Sequence, residues 1–309
     1  METCLADQIE TNTPNTRSLF GKAQLIGKIE DSRLVECSGM DASSTARNLF
    51  WAINDSGNGP FIYALRSDGS SMGRVQVIGA QNRDWEGLDT FIWKNRSMIL
   101  IADFGDNKEK YAAHILYIVE EPTSKDQGFA DGTVVEIAWQ IEFSYPERNH
   151  DAEGVAVDVE SEKVLILTKR DKPPLLFALP LIPPNDHVIA KKITAVQHIP
   201  APTTEDRQRQ YGKYRSQPTA LDISPDGRHA VVLTYKHAYL FTRQYSGSWL
   251  EAFSGHPITI PLPLPEDRLD LRQREAICFT PDGKSLLVTS EGSAAAIYVL
   301  SPPCTSRSR

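Results

Sequence analysis

Five short segments of the chain repeat one pattern of polar, any, small-or-acidic, small, apolar residues: Glu36-Cys-Ser-Gly-Met40, Asp84-Trp-Glu-Gly-Leu88, Asp151-Ala-Glu-Gly-Val155, Gln217-Pro-Thr-Ala-Leu221 and Gln273-Arg-Glu-Ala-Ile277. Their starts lie 48, 67, 66 and 56 residues apart. The first position yields Glu36, Asp84, Asp151, Gln217 and Gln273, and the third yields Ser38, Glu86, Glu153, Thr219 and Glu275. A later polar cluster adds Asp55, Asp103, Lys169, Tyr235 and Glu291. Nine carboxylates against one lysine repel one another if a fold gathers them, unless protons or a cation compensate. A hard divalent cation is the simplest compensation. Ca²⁺ takes six to eight oxygen ligands in relaxed geometry, which suits Asp, Glu and Asn better than zinc's preference for nitrogen and sulfur. The candidate metal ligands are Glu86, Glu153 and Glu275, with Asp55, Asp103 and Asn54 nearby. Each could instead cap backbone N–H groups at strand ends, with Asp55 and Asp106 forming Asx-turns. Turn formation does not account for Glu in the middle of Asp-x-Glu-Gly.

Such a cation would polarise a substrate oxygen or acidify a bound water, and Glu153 or Glu86 would take the proton. Lys169 and Arg170 are cations among acids: they either orient an anionic substrate group or pair locally with Asp151, Glu153 or Asp171. Tyr235 and Glu291 complete the candidate substrate-binding set. His150, beside Asp151, is the first candidate general base and His237 the second; both can equally be packing histidines. No G-x-S-x-G nucleophile elbow occurs, and Ser56 in Asn-Asp-Ser-Gly reads as a turn. The insertion from Thr204 to Ser216 carries Arg207, Arg209, Lys213 and Arg215 with Tyr211 and Tyr214. The expected function is a Ca²⁺-binding protein that hydrolyses a small anionic ester, phosphoester or lactone. The alternative is a non-catalytic protein whose acidic face binds a cationic ligand or a protein partner.

Elements must bring these rows together. After each motif comes a β-rich apolar run, such as Phe50 to Asp55, Ile99 to Asp103 or Leu287 to Glu291, and then a third strand, such as Phe61 to Leu65 or Ala296 to Leu300. A fourth strand follows the first four motifs, at Arg74 to Ile78, Val134 to Ile141, Ile193 to Ile199 and Ile258 to Leu262. The fifth motif lacks one, and Gln24 to Ile29 can supply it. The expected fold is all-β: a β-propeller of five four-stranded blades, with six as the alternative and a sandwich less consistent with the recurrence, closed by the N-terminal strand. In that topology the three rows emerge on one face. The expected divisions are a tail over 1–18, one propeller domain over 19–303, and a tail over 304–309.

The hairpins Ser224-Pro-Asp-Gly-Arg228 and Thr280-Pro-Asp-Gly-Lys284 resemble those of TolB-type propeller repeats. The series Asn54-Asp-Ser-Gly57, Asp84-Trp-Glu-Gly87, Ala102-Asp-Phe-Gly-Asp-Asn107, Asp151-Ala-Glu-Gly154 and Thr168-Lys-Arg170 is similar to a group of poorly characterised bacterial propeller proteins, over about residues 20 to 300. A more distant likeness, in architecture and acidic channel ends, links the chain to calcium-dependent propellers such as alkaline phytases, gluconolactonases and paraoxonases. That likeness implies a fold and carries no catalytic residue across.

Composition sets the outer limits. The chain has 309 residues, 40% hydrophobic and 24% charged, enough apolar content for a packed core. Its formal charge of −7 argues against a phosphate-neutralising nucleic-acid binder. No apolar run is long enough to span a membrane, and Met1 to Ser18 lacks the h-region of a signal peptide. The expected location is cytoplasmic as the sequence stands, or periplasmic or extracellular if an export signal precedes it; a monomer is expected. Cys4, Cys37, Cys278 and Cys304 form no C-x-x-C motif, although Cys4 and Cys304 could meet if the chain closes on itself.

Overall fold

The computed structural model describes residues 19–124, 128–245, 247–263 and 273–303. The expected tails, 1–18 and 304–309, lie outside the described residues, as do Cys4 and Cys304; Cys37 and Cys278 are free and buried. Strand makes up 47% of the structure and helix 5%, so the fold is all-β. Among the described residues no helix is long and apolar enough to cross a membrane.

Strand β1 (Gln24–Lys28) precedes four strands, β2 (Cys37–Ala42), β3 (Phe50–Asn54), β4 (Phe61–Leu65) and β5 (Ser71–Ile78), hydrogen-bonded in that order. The second unit is β6 (Trp85–Trp93), β7 (Arg96–Asp103), β8 (His114–Glu120) and β9 (Val134–Ser144). The third comprises β10 (Ala152–Asp158), β11 (Lys163–Thr168) and β12 (Leu175–Pro180), then the short β13 (His187–Ile189), and finally β14 (Lys191–Ala195), which pairs with β12. The fourth is β15 (Pro218–Ile223), β16 (His229–Thr234), β17 (His237–Thr242) and β18 (Ile258–Pro261). The last sheet is β19 (Arg274–Phe279), β20 (Leu286–Ser290), β21 (Ala296–Leu300) and, antiparallel to β21, the early strand β1. Strand β13 adds to β9 in parallel, and β5 also pairs with β9 in parallel, joining the first two units. Multiple four-stranded sheets of this kind are consistent with a propeller.

The first strands of the sheets face one another. Strand β2 packs on β6, β6 on β10, β10 on β15, β15 on β19, and β19 on β2. Every residue of β2, β10 and β19 is buried, whereas β9 alternates exposed and half-buried along its first half. The core fills the gaps between neighbouring sheets: Phe143, Val155, Ile166 and Phe177 share one cluster, and Leu233, Leu240, Ile277 and Tyr298 another. The small residue of the repeated motif has a packing reason. A Cβ on Gly87 would stand 2.7 Å from Val155 Cγ1, and one on Gly154 would stand 2.8 Å from Leu221 Cβ. Glycine lets neighbouring first strands approach this closely.

The third residue of the motif is explained by a register break. Cys37 pairs with Asn54 but Gly39 pairs with Ile53, and the same one-residue slip recurs at Trp85/Gly87, Ala152/Gly154, Pro218/Ala220 and Arg274/Ala276. Ser38, Glu86, Glu153, Thr219 and Glu275 are therefore the extra residues of five equivalent β-bulges, left out of the ladder and re-aimed by it.

Candidate functional site

The bulges bring acids to one end of the packed first strands. Carboxylate oxygens of Asp55, at the end of β3, Asp84, just before β6, and Glu86, at the β6 bulge, all lie within 4.8 Å of one another. Few donors serve them. The Ser56 N–H donates to Asp55, while no hydrogen-bond donor meets Glu86 among the described residues, although it is only 3% exposed. Burial, then the charge of Asp55, pushes Asp84 up to about 7. Burial also raises Glu86 well above the ordinary range, with Glu153 and Asp55 adding to it, and raises Asp55. Three carboxylates short of donors in a desolvated site favour protons or a cation as partners.

Beside them sits a second group. Lys169 pairs with Glu153 Oε1 and stands 3.9 Å from Glu275 Oε1, while the Tyr235 hydroxyl donates to Glu275 Oε1 at 2.7 Å. The Lys169 ammonium lies 5.4 Å from the centre of the Tyr235 ring. Burial opposes the Lys169 charge, yet Glu153, Tyr235 and Glu275 outweigh it and hold its pKa above the usual lysine value. Burial raises Glu153 against the pull of Lys169, and its Oε2 is buried with no partner. Thr219 Oγ1, at the equivalent bulge of the fourth unit, is likewise buried and unpartnered. Gln273 Nε2 donates to Glu291 Oε2 at 2.7 Å, and burial together with Glu275 pushes Glu291 up to about 9.

The structure thus gathers Asp55, Glu86, Glu153, Glu275, Lys169, Tyr235 and Glu291. It separates five other candidates, Asn54, Asp103, His150, His237 and Arg170, from them. Asn54 Oδ1 accepts the N–H groups of Val35 at 3.1 Å and Glu36 at 3.0 Å, and its amide donates to Arg33 O at 2.8 Å. Asp103 Oδ1 accepts the Asp84 N–H at 2.8 Å. Both are the last residues of their strands, and both cap the backbone just ahead of the first strand of their own sheet rather than face the acids. Asp103 is one place out of register with Asp55: Trp85 pairs with Asp103 as Cys37 pairs with Asn54, so Phe104 holds the place equivalent to Asp55. His150 contacts Asp171 through Nδ1 at 2.8 Å and packs edge-on against Tyr145 and beside Phe177. His237 is in β17, where burial lowers it to about 4. Arg170 Nε pairs with Asp151 Oδ2 at 2.6 Å, and Asp151 Oδ1 accepts the Asp106 N–H at 2.9 Å.

Sequence reasoning placed Asp84 in a row but left it out of the ligand set; its position two residues before Glu86 was the available signal. A second acid cluster escaped notice. Asp41, Asp89 and Asp222 stand five residues into their motifs, buried, with carboxylate oxygens within 4.8 Å of one another. They line a cavity of about 670 Å³ together with Phe91, Val157, Ile223 and Arg243. Each accepts a backbone N–H from the following first strand: Asp41 from Thr90 at 2.6 Å, Asp89 from Val157, and Asp222 from Phe279 at 2.6 Å.

No protein-family model matches the sequence, and no curated protein matches it. Solved structures do show likeness. One described as a putative 6-phosphogluconolactonase from Bacteroides uniformis is 15% identical, with 87% of this chain and 68% of that one covered and a TM-score of 0.41. A gluconolactonase from Xanthomonas campestris is 12% identical, with 82% and 69% covered and a TM-score of 0.43. Likeness at this level assigns no activity to the present chain.

Proposed function

We propose that the protein is a five-bladed β-propeller, closed by β1, that binds a hard divalent cation, Ca²⁺ by its ligand chemistry, and uses the site to hydrolyse a small ester, phosphoester or lactone. The observation that carries the reading is the convergence of Asp55, Asp84 and Glu86 beside Glu153, whose Oε2 is buried without a partner. An all-oxygen, carboxylate-rich set fits calcium and offers nothing a zinc ion prefers. Asp55, Asp84 and Glu86 would hold the ion. When bound it would supply Lewis-acid polarisation of a substrate oxygen. The chain's own part is distinct. Glu153, unpartnered at Oε2, is the group able to accept a proton, and Lys169 holds it in place through Oε1. Tyr235 fixes Glu275, and burial raises Glu153 above the ordinary carboxylate range, the direction that makes it a stronger base.

Calcium titration by calorimetry tests the binding step. The wild-type chain is expected to bind stoichiometrically, and Asp84→Asn with Glu86→Gln is expected to weaken binding by at least about 100-fold, since loss of outer-shell support alone typically costs about 10–100-fold. Unchanged affinity overturns the site. A panel of lactones, carboxyl esters and phosphate esters tests the chemistry: turnover that disappears on chelation and in Glu153→Gln supports it. Calcium binding with hydrolysis at background leaves a non-catalytic propeller whose mouth binds a cation.

A further inference from the structure

The cavity of about 670 Å³ takes no part in the reading of the mouth, because it lies toward the other end of the packed first strands. Asp84 and Glu86 belong to the beginning of a first strand, whereas Asp41, Asp89 and Asp222 stand three residues beyond the bulges. Every sheet contributes to the cavity's wall: Ser44 follows β2, Ile92 ends β6, Val159 follows β10, Gly227 joins β15 to β16, and Pro281 joins β19 to β20. Its volume is in the range of small-molecule sites, about 300–1,000 Å³.

Three carboxylates line this cavity, and no cation of the chain answers them. Among the described residues no Lys, Arg or His pairs with Asp41, Asp89 or Asp222, whereas other buried acids are paired: Asp158 with Arg243, Asp206 with Arg215 and Lys236, and Glu153 with Lys169. Arg243 lines the same cavity but is committed, donating to Gly227 O, Asp158 and Glu160. Asp89, only 6% exposed, accepts the Val157 N–H through Oδ2, and its Oδ1 meets no N–H or hydroxyl donor among the described residues. Its carboxyl instead contacts that of Asp41. Two carboxyl groups in contact need a proton or a cation between them.

We propose that the cavity binds a small organic ammonium ion, whose –NH₃⁺ group donates to Asp41, Asp89 and Asp222 while its apolar body lies against Phe91 and Phe279. An ammonium has three N–H donors, and at about 2.8 Å each its acceptors stand up to roughly 4.6 Å apart. Carboxylate oxygens of the three acids, all within 4.8 Å of one another, meet that spread. A bare metal suits them less. A Ca²⁺ shell takes six to eight oxygens, yet both Asp41 oxygens and one each of Asp89 and Asp222 already accept backbone N–H groups. Phe91 and Phe279 line the cavity, and the exposed side chains of Ile92, Val159 and Tyr245 stand around it. Apolar walls with a few convergent polar groups are how small organic ligands are held.

The test is calorimetric titration of the whole chain with n-butylammonium chloride. The controls are n-butanol, which lacks the charge, and tetramethylammonium chloride, which lacks the N–H donors. Saturable binding of n-butylammonium is expected, with both controls at least about tenfold weaker. Asp89→Asn keeps an oxygen for the Val157 N–H and removes the charge, and it is expected to weaken n-butylammonium at least about tenfold. Should that variant fail to fold, Ser44→Trp, at the exposed start of the β2–β3 hairpin, is expected to occlude the cavity and abolish binding with the melting temperature unchanged. Absent saturation, equal binding of n-butanol, or full affinity in either variant overturns the proposal. Competition by calcium also overturns it, because the three acids would then serve a metal. Calcium that binds without changing n-butylammonium affinity supports two separate sites.

Discussion

Two clusters of three acids stand at different depths of the same packed strands, and they differ in what their oxygens do. Asp41, Asp89 and Asp222 each reach the backbone N–H of the next first strand, so each carboxylate serves as a staple between sheets. Asp55, Asp84 and Glu86 hold almost no backbone donors, and Glu86 has none among the described residues. Burial raises the pKa in both clusters: Asp41 goes to about 6 and Asp84 to about 7. Raised pKa values alone therefore do not distinguish the two clusters. The inventory of donors does, because a carboxylate already satisfied by amides gains little from a metal.

Removing a staple should produce the largest effect on stability. Asp222→Ala leaves the Phe279 N–H buried and unpaired, which costs about 1–3 kcal/mol. Thermal unfolding is expected to drop by roughly 2–10 °C with calcium affinity unchanged. Glu86→Gln is expected to move the other way in metal-free protein, raising the melting temperature by removing a buried like charge. A matching loss of stability in Glu86→Gln would erase the contrast between the clusters.

The dependence on pH sharpens the same contrast. Each raised carboxylate binds its proton more tightly folded than unfolded, so its contribution is complete below about pH 4 and is lost as pH climbs through the folded value. For Asp84 that window ends near 7, and for Glu291 near 9. Metal-free protein is expected to lose stability steadily from about pH 4 to 9. Calcium takes the deprotonated form, so its stabilising shift in melting temperature is expected to grow over the upper part of that range, and to vanish in Asp84→Asn/Glu86→Gln. A calcium shift that stays flat with pH would separate the ion from these acids.

The smallest effect concerns the built-in cation. Lys169→Met removes a positive charge beside the mouth, and calcium affinity is expected to tighten by about 3–10-fold, corresponding to roughly 0.6–1.4 kcal/mol. Weaker calcium binding would show that Lys169 supports the ion rather than competing with it.

Much of this was legible in the sequence because repetition exposes it. The motif's glycine, the strand order and the gathering of Glu86, Glu153 and Glu275 all follow from five copies read together. Gly227 and Gly283, in the Pro-Asp-Gly turns, adopt φ of 68° and 67°, as the turn type requires. What was not legible is local. Plain two-residue alternation treats Ser38 and Glu86 as ladder residues, whereas a bulge cannot be seen without its partner strand. Asp103 was aligned by acid rather than by register, and Phe104 holds the matching place. Asp41, Asp89 and Asp222 looked like ordinary strand residues, since the donors that satisfy them come from another sheet.

The five bulges also bear on how such a protein changes over time. A residue outside the ladder makes no strand-pairing hydrogen bonds of its own, so exchange of its side chain is constrained by what that side chain touches rather than by the pairing on either side. Serine, threonine and glutamate already occupy the five positions here. The five bulges are in effect a row of slots in which charge and reach can be rewritten one at a time while the strand ladders on either side keep their register.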